Sequence, residues 1–238
     1  MLLRSCLVSL VALALAGSAR GEEPKSADLP KVSSVQSIVL RAKDRVATIT
    51  ESRATIYWKR ATDGRSRVLL EFSKPEDLRG ASVLLLERKQ AGERDMFMYL
   101  PELRAVKRIT SRMVSGAMFG TDFSYEDFEM IEDYSRKPAS KRIADATLEG
   151  ETVYVLEGQP AAGEMGAYTR VVEYIDPATC VRLKTELFES GDRLRKVASS
   201  SRSSLAEVSG LHYARLLTLK DLVKQTETDL AIEKIEVG

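Results

Sequence analysis

Histidine is all but absent from this chain: its 238 residues hold one, His212, together with two cysteines, Cys6 and Cys180, and one tryptophan, Trp58. Those scarcities exclude whole classes of chemistry. A zinc centre of the usual kind draws several imidazole or thiolate ligands, and His212 with Cys180 cannot supply them. A Ser-His-Asp triad would have to use His212, which stands beside Tyr213 in a strand pattern and reads as a structural histidine. No HExxH, P-loop or GxSxG segment occurs. Charge of one sign is missing as well: 36 Lys and Arg face 35 Asp and Glu. A nucleic-acid partner would need a strongly basic face, for which this composition gives no basis. No cofactor and no enzymatic activity are expected.

Long hydrophobic runs are also lacking. The stretch from Cys6 to Ala16 is apolar, follows Arg4 and precedes Gly17-Ser18-Ala19. It is too short to cross a hydrocarbon layer of about 30 Å. Its charged, apolar and small-residue parts are those of a secretory signal peptide, so residues 1–21 are expected to be removed, by cleavage after Ala19 or Gly21. Ser18 stands where a lipobox would carry its cysteine, and the product is expected to be periplasmic and not lipidated. Without Arg4 and Arg20 the chain keeps 34 basic and 35 acidic residues. Cys180 is then alone, no intramolecular disulfide can form in the processed chain, and its stability must come from its core.

Residues 22–31 form a polar, Pro-bounded lead-in, expected to be flexible. The remainder, 32–238, is long enough for one well-packed domain. Val35, Ile38, Val39, Ala42 and Val46 fall at helical spacing behind Ser33 and Ser34, which predicts an N-terminal amphipathic helix. The period then changes to two. Ala54, Ile56 and Trp58 alternate with polar neighbours, Asp63-Gly64 offers a hairpin turn, and Val68, Leu70 and Phe72 alternate again. Further strands are expected over residues 82–87, 142–149, 152–156, 168–175, 181–189, 194–200, 212–219 and 228–237. Ten or eleven antiparallel strands without an internal repeat must curl or split, and curling leaves a concave face.

The densest chemistry lies between Arg94 and Glu129. Met96, Met98 and Leu100 alternate with Phe97 and Tyr99, Pro101 interrupts, and Val106 and Ile109 resume the strand pattern. The next segment, residues 110–119, has the composition of a buried surface rather than of a solvated loop: Met113, Val114, Met118 and Phe119 surround a Ser115-Gly116 pivot. Ser124 followed by Asp127 is a capping-box type of helix start, predicting a short helix over residues 125–131. Asp122, Glu126 and Asp127 are read as capping and orienting groups rather than as an acid/base pair.

At Tyr99, Leu100, Pro101, Arg104, Val106, Arg108, Ile109, Phe119, Gly120, Asp122, Phe123, Tyr125, Glu126 and Asp127 the sequence resembles the outer-membrane lipoprotein-sorting-protein-like family. That family is akin to the lipoprotein carrier LolA, the acceptor LolB and the sigma-E regulator RseB. The resemblance implies a mainly β (α+β) fold. Its curled antiparallel sheet would form an incomplete, half-open barrel, and helices and a loop would cover an apolar cavity. It implies a monomeric carrier of a lipid or of lipoprotein acyl chains, with an inner-membrane transporter as donor and an outer-membrane acceptor. A non-catalytic envelope scaffold or lipid-sensing module of RseB-like type is the second reading.

Candidate cavity residues are Trp58, Phe72, Leu84, Leu86, Met96, Met98, Met118 and Phe119. Unbranched thioether side chains suit acyl chains of variable length, although strand core would use the same methionines. The candidate lid and helix-start motif is Met113, Ser115, Gly116, Gly120, Asp122, Phe123, Tyr125 and Asp127. Arg104, Lys107 and Arg108 make a local basic strip that would serve a lipid phosphate, an acidic partner or a solvated edge strand equally well.

Overall fold

A computed structural model of the protein describes residues 33–61, 63–88, 94–132, 140–159 and 166–238. The expected signal peptide and lead-in lie outside these residues, as do Pro138 and most of the loop expected at 159–166. Strands β1 (Ser33–Lys43), β2 (Ile49–Arg60), β3 (Ser66–Lys74), β4 (Ser82–Glu87), β5 (Arg94–Leu100) and β6 (Ala105–Arg108) form the first half of the chain. Helix α1 (Tyr125–Glu132) follows. The second half holds β7 (Lys141–Arg142), β8 (Ala146–Leu148), β9 (Glu151–Gly158), β10 (Tyr168–Ile175), β11 (Arg182–Glu189) and β12 (Arg193–Ser199). It ends with β13 (Leu205–Val208), β14 (Leu211–Ala214), β15 (Leu216–Asp221) and β16 (Thr226–Val237).

One antiparallel sheet takes nearly all of them, in the order β6-β5-β4-β3-β2-β1-β16-β15-β12-β11-β10-β9-β7, with β8 also on β9. The order does not close on itself, so the sheet is open, with β6 and β7 as its edges. β13 and β14 form a separate hairpin, and the segment expected as one strand over 212–219 is therefore two. Register shifts at Ser37/Ile38, Arg53/Ala54, Tyr174/Ile175 and Leu187/Phe188 bend the strands they interrupt. Among the described residues no helix is long and apolar enough to cross a membrane.

The expected N-terminal helix is not there. Residues 33–43 are β1, paired with β2 on one side and β16 on the other. The helical spacing was produced by residues on both faces of a strand: Ile38 on one, Val39 on the other, both buried. Two polar residues on the inward face, Ser34 and Gln36, hid the period of two. They are buried beside each other, Gln36 Nε2 donating to Ser34 Oγ at 3.3 Å. Tertiary pairing overrides local pattern here, because a central strand has both edges hydrogen-bonded whatever its own periodicity.

The registers align one inward face across the sheet. Met98, Val83, Leu70, Ile56 and Gln36 form one cross-strand row; Met96, Leu85, Val68, Trp58 and Ser34 form the next. Ile38, Phe72, Leu217, Leu219, Leu230 and Ile232 extend the same buried cluster. Cys180, expected to stand alone in the processed chain, is disulfide-bonded.

The turn between β15 and β16 rests on Asp221, which is 1% exposed. Its Oδ1 accepts from the backbone N–H groups of Val223 and Lys224 at 3.1 and 2.9 Å, and Arg195 lies 2.7 Å from Oδ2. Burial pushes this carboxyl up, but the Lys224 N–H and the Arg195 guanidinium outweigh it and hold it below the usual carboxylate range. A carboxyl depressed by folding contributes stability above its unfolded value, about 3.9, and loses it as pH falls through the folded one. Thermal midpoints followed by circular dichroism should accordingly stay level from pH 7 to 5 and fall below about pH 4. Asp221→Asn should be less stable at neutral pH and lose less on acidification; identical acid slopes in the two proteins would remove Asp221 as the cause.

Candidate functional site

After β6 the chain turns over the inward face, and its apolar side chains complete the cluster. Met118, Phe123, Tyr125 and Phe128 are buried there, with Met113, Val114 and Phe119 partly buried against them. The Phe119 ring meets Phe72 with centroids 4.8 Å apart and planes at 56°, a tilted aromatic contact. Tyr125 Oη lies 3.6 Å from Met98 Sδ. Burial pushes the Tyr125 phenol up, so it remains a neutral hydroxyl.

The loop is a tight structure rather than a loose strap. Gly116 N–H donates to Met113 O at 2.9 Å, and a Cβ at Gly116 would stand 3.0 Å from that same carbonyl, so a side chain there would crowd the turn. Met118 N–H donates to Phe123 O at 2.7 Å, and a β-bridge joins Ala117 to Ser124. Between them Phe119 and Gly120 both take positive φ, 47° and 76°. An aromatic residue pays for that backbone conformation, and the contact with Phe72 is the packing that offsets it.

The capping box is present in both directions. Asp127 N–H donates to Ser124 Oγ at 3.1 Å, and Ser124 N–H donates to Asp127 Oδ2 at 2.7 Å. The three carboxylates of the motif are anchors. Asp127 is met by Lys196 Nζ of β12 at 2.5 Å and by the Tyr168 hydroxyl of β10 at 2.8 Å. Lys196 also donates to Asp122 O at 2.8 Å. Asp122 accepts from the hydroxyls of Thr226 and Thr228 on β16, the latter at 2.8 Å, while its own N–H donates to Thr228 Oγ1 at 2.9 Å. Glu126 accepts from Ala167 N–H at 2.9 Å, and a Cβ on Gly166 would stand 2.0 Å from Glu126 Oε1. Burial first, then the Asp127 charge, pushes the Tyr168 phenol far up, which fixes it as a donor.

The space left between sheet and cover is about 10 Å³, lined by Ile38, Leu40, Ile56, Leu70, Met118, Phe123, Phe128 and Leu230. That is barely room for one water. The face is therefore filled by the protein's own side chains.

Of the sequence-predicted cavity residues, Trp58, Phe72, Met96, Met98, Met118 and Phe119 come together in this cluster. Leu84 and Leu86 do not: on β4 the inward positions are Val83 and Leu85, and the two leucines lie half-buried on the opposite face. Three consecutive leucines carry no alternation, so the sequence could not say which face each takes. In the lid and helix-start motif, Met113, Phe123 and Tyr125 pack inward, Asp122 and Asp127 are anchored, and Ser115, Gly116 and Gly120 are exposed. Sequence reasoning missed Lys196, Tyr168, Thr226 and Thr228. A lysine at an inward strand position was the one available signal, since a buried cation needs a partner. The basic strip Arg104, Lys107 and Arg108 is exposed on or beside the edge strand β6, with Arg108 paired to Asp95.

A family profile described as that of an uncharacterized protein matches residues 64–238. No curated protein matches the sequence. Among solved structures, a domain from Vibrio parahaemolyticus named for outer membrane lipoprotein sorting is similar at a TM-score of 0.77 and 23% identity, over 86% of this chain and 85% of that one. A DUF1329 family protein from Desulfovibrio piger is similar at 0.77 and 22% identity, over 86% and 85%. A LolA superfamily protein from Nitrosomonas europaea is similar at 0.68 and 16% identity, over 89% and 90%. These likenesses establish the fold.

Removing one member of a buried ion pair strands the other, at a cost of about 3–5 kcal/mol. Lys196→Met and Asp127→Asn should each lower stability by that order in urea unfolding, and the double variant should lose less than the sum. Additive losses would mean that the two side chains are not coupled.

Proposed function

We propose that this protein, a member of the family whose profile spans residues 64–238 and a chain of LolA-like fold, is a periplasmic carrier that takes a lipid, or the acyl chains of a lipoprotein, beneath its 110–119 loop and moves it toward the outer membrane. The observation that carries this reading is the apolar inward face of an open sheet, closed by a Met- and Phe-rich loop and helix α1. Each methylene kept from water is worth about 0.8 kcal/mol, so cargo with several acyl chains travels only inside such a face. With about 10 Å³ free, the side chains of Met113, Met118 and Phe119 hold the place of cargo and move aside to admit it. Methionine suits that exchange because its unbranched side chain repacks at low cost.

Export by a cleaved signal peptide, a donor at the inner membrane and an acceptor at the outer membrane are parts of the same proposal. The motif carboxylates are committed to cap and sheet, which favours a non-catalytic role. A second reading, an envelope scaffold or lipid-sensing module, draws support from the closeness of the packing, since a face already filled needs no ligand to be stable.

Native mass spectrometry of protein purified from a periplasm, with lipid extraction, separates the two readings. A carrier arrives with substoichiometric lipid and binds fluorescent acyl probes. A scaffold arrives empty with a protein partner. Met98→Glu should abolish probe binding while the far-UV spectrum stays sheet-like; a folded variant of unchanged affinity would remove this face from the site.

Hydrogen exchange tests the lid. Amides over 111–119 should exchange faster than those over 96–99 in the empty protein and slow when lipid is added. Met118→Ser with Phe119→Ser should raise the off-rate more than it lowers the on-rate, because the lid acts after entry. An off-rate untouched by the double substitution would place the gate elsewhere.

A further inference from the structure

At one end of the sheet two turns stand side by side with apolar side chains at their apices. The β1–β2 turn presents Val46, 82% exposed, with Ile49, 61% exposed, beside it at the start of β2; the β15–β16 turn presents Leu222 and Val223, 44% and 47% exposed. The turns are neighbours because β1 pairs with β16, Lys43 opposite Glu227. A cleft of about 330 Å³ lies between them, lined among others by Lys43, Arg45 and Ala47 of the first turn and Lys220, Leu222 and Gln225 of the second. Turn apices are ordinarily polar, so apolar residues at two adjacent ones require a reason.

An aspartate in each turn takes several of its backbone N–H groups. Asp44 Oδ1 accepts from Val46 N–H at 2.9 Å and Thr48 N–H at 2.8 Å, and Ala47 N–H donates to Asp44 O at 3.1 Å. Asp221 does the same for Val223 and Lys224, and Gln225 N–H donates to Asp221 O at 2.8 Å. These N–H groups therefore need no water, which removes the main cost of placing a turn in a lipid interface. The charge around the turns is unbalanced. Lys43 and Lys220 share Glu227, Lys224 pairs with Asp221, Arg195 lies between Asp221 and Glu189, and Arg45 has no ion-pair partner among the described residues. With Arg195 offset by Glu189, the four cations of the turns, Lys43, Arg45, Lys220 and Lys224, meet three carboxylates, Asp44, Asp221 and Glu227.

We propose that this two-turn end is a docking surface for an anionic bilayer, with Val46, Ile49, Leu222 and Val223 entering the headgroup region and Lys43, Arg45, Lys220 and Lys224 meeting lipid phosphates. Apolar insertion and basic contacts act together at such interfaces, each too weak alone. The surface is tied to the cover of the inward face, because Thr226, the first residue after the second turn, and Thr228 hold Asp122. Docking thus brings the anchored end of the 110–123 segment to the membrane.

The test is sedimentation of the purified protein with vesicles of phosphatidylglycerol and phosphatidylethanolamine, compared with vesicles of phosphatidylcholine alone. Partition should be at least about tenfold stronger to the anionic vesicles and should fall as salt is raised. Val46→Ser with Leu222→Ser, and separately Arg45→Gln with Lys224→Gln, should each reduce it by about tenfold, with thermal midpoints unchanged because these residues are exposed. Tryptophan emission from a Val46→Trp protein should shift to the blue on anionic vesicles. Equal partition to the two vesicle types, or an unaffected apolar variant, would overturn the proposal. So would a dimer in vesicle-free sedimentation equilibrium that the apolar variant converts to monomer, since the turns would then cover a second copy of the chain. Cargo uptake is a separate matter: a protein that takes no acyl probe yet sediments with anionic vesicles leaves this surface standing.

Discussion

The contact between Lys196 and Asp127 holds the arrangement together. An ion pair buried on both sides is tolerated only where geometry is good and the remaining donors and acceptors are used. Here they are: Asp127 caps its own helix through Ser124 and takes the Tyr168 hydroxyl, and Lys196 reaches a backbone carbonyl two residues before that cap. One carboxylate thus ends a loop, starts a helix and docks both on strands β10 and β12. With Asp122 held by β16, the segment covering the inward face is fastened by buried polar side chains at its C-terminal end and by backbone turns and apolar packing at its N-terminal end.

That asymmetry gives the cover its character. Residues 121–128 are buried throughout, whereas 110–117 alternate between exposed and half-buried. The apolar contacts they make are non-directional and can be exchanged for others of similar area; the polar contacts beyond residue 121 cannot, because breaking any of them leaves a buried group unpaired. Sequence composition sorts the segment along the same line, with methionine and valine before Gly120 and the Asp, Ser and Glu of the motif after it.

Much of this was legible in the chain. The capping box could be read because it is local, Ser124 and Asp127 lying three residues apart, and so could the two-residue periods of β2 and β3. Central β1 could not, since its inward face carries Ser34 and Gln36 and its outward face Val39. Pairing on both edges, not pattern, decides such a strand. Among candidate site residues, alternation puts Met96 and Met98 on one face of their strand, and the registers bring that face into line with Phe72 and Trp58, but the Leu84-Leu85-Leu86 run has no alternation to read. Lys196 escaped because its partner is 69 residues away. Long-range polar pairing leaves no periodic trace.

Strand β1 also sets a timetable. Its first neighbour, β2, follows at once, but its other neighbour is β16, and Ser33 and Gly238 exchange backbone hydrogen bonds at 2.9 Å in each direction. Ser33 and Gly238 lie 205 residues apart, so the middle of the sheet closes only when the last strand of the chain arrives. Until then β1 is a temporary edge, long and flanked by apolar residues, of the kind that recruits foreign strands. Loss of β16 would therefore not trim the protein at its margin; it would split the sheet down its centre, leaving β1–β6 on one side and β7–β12 with β15 on the other, with no strand in common.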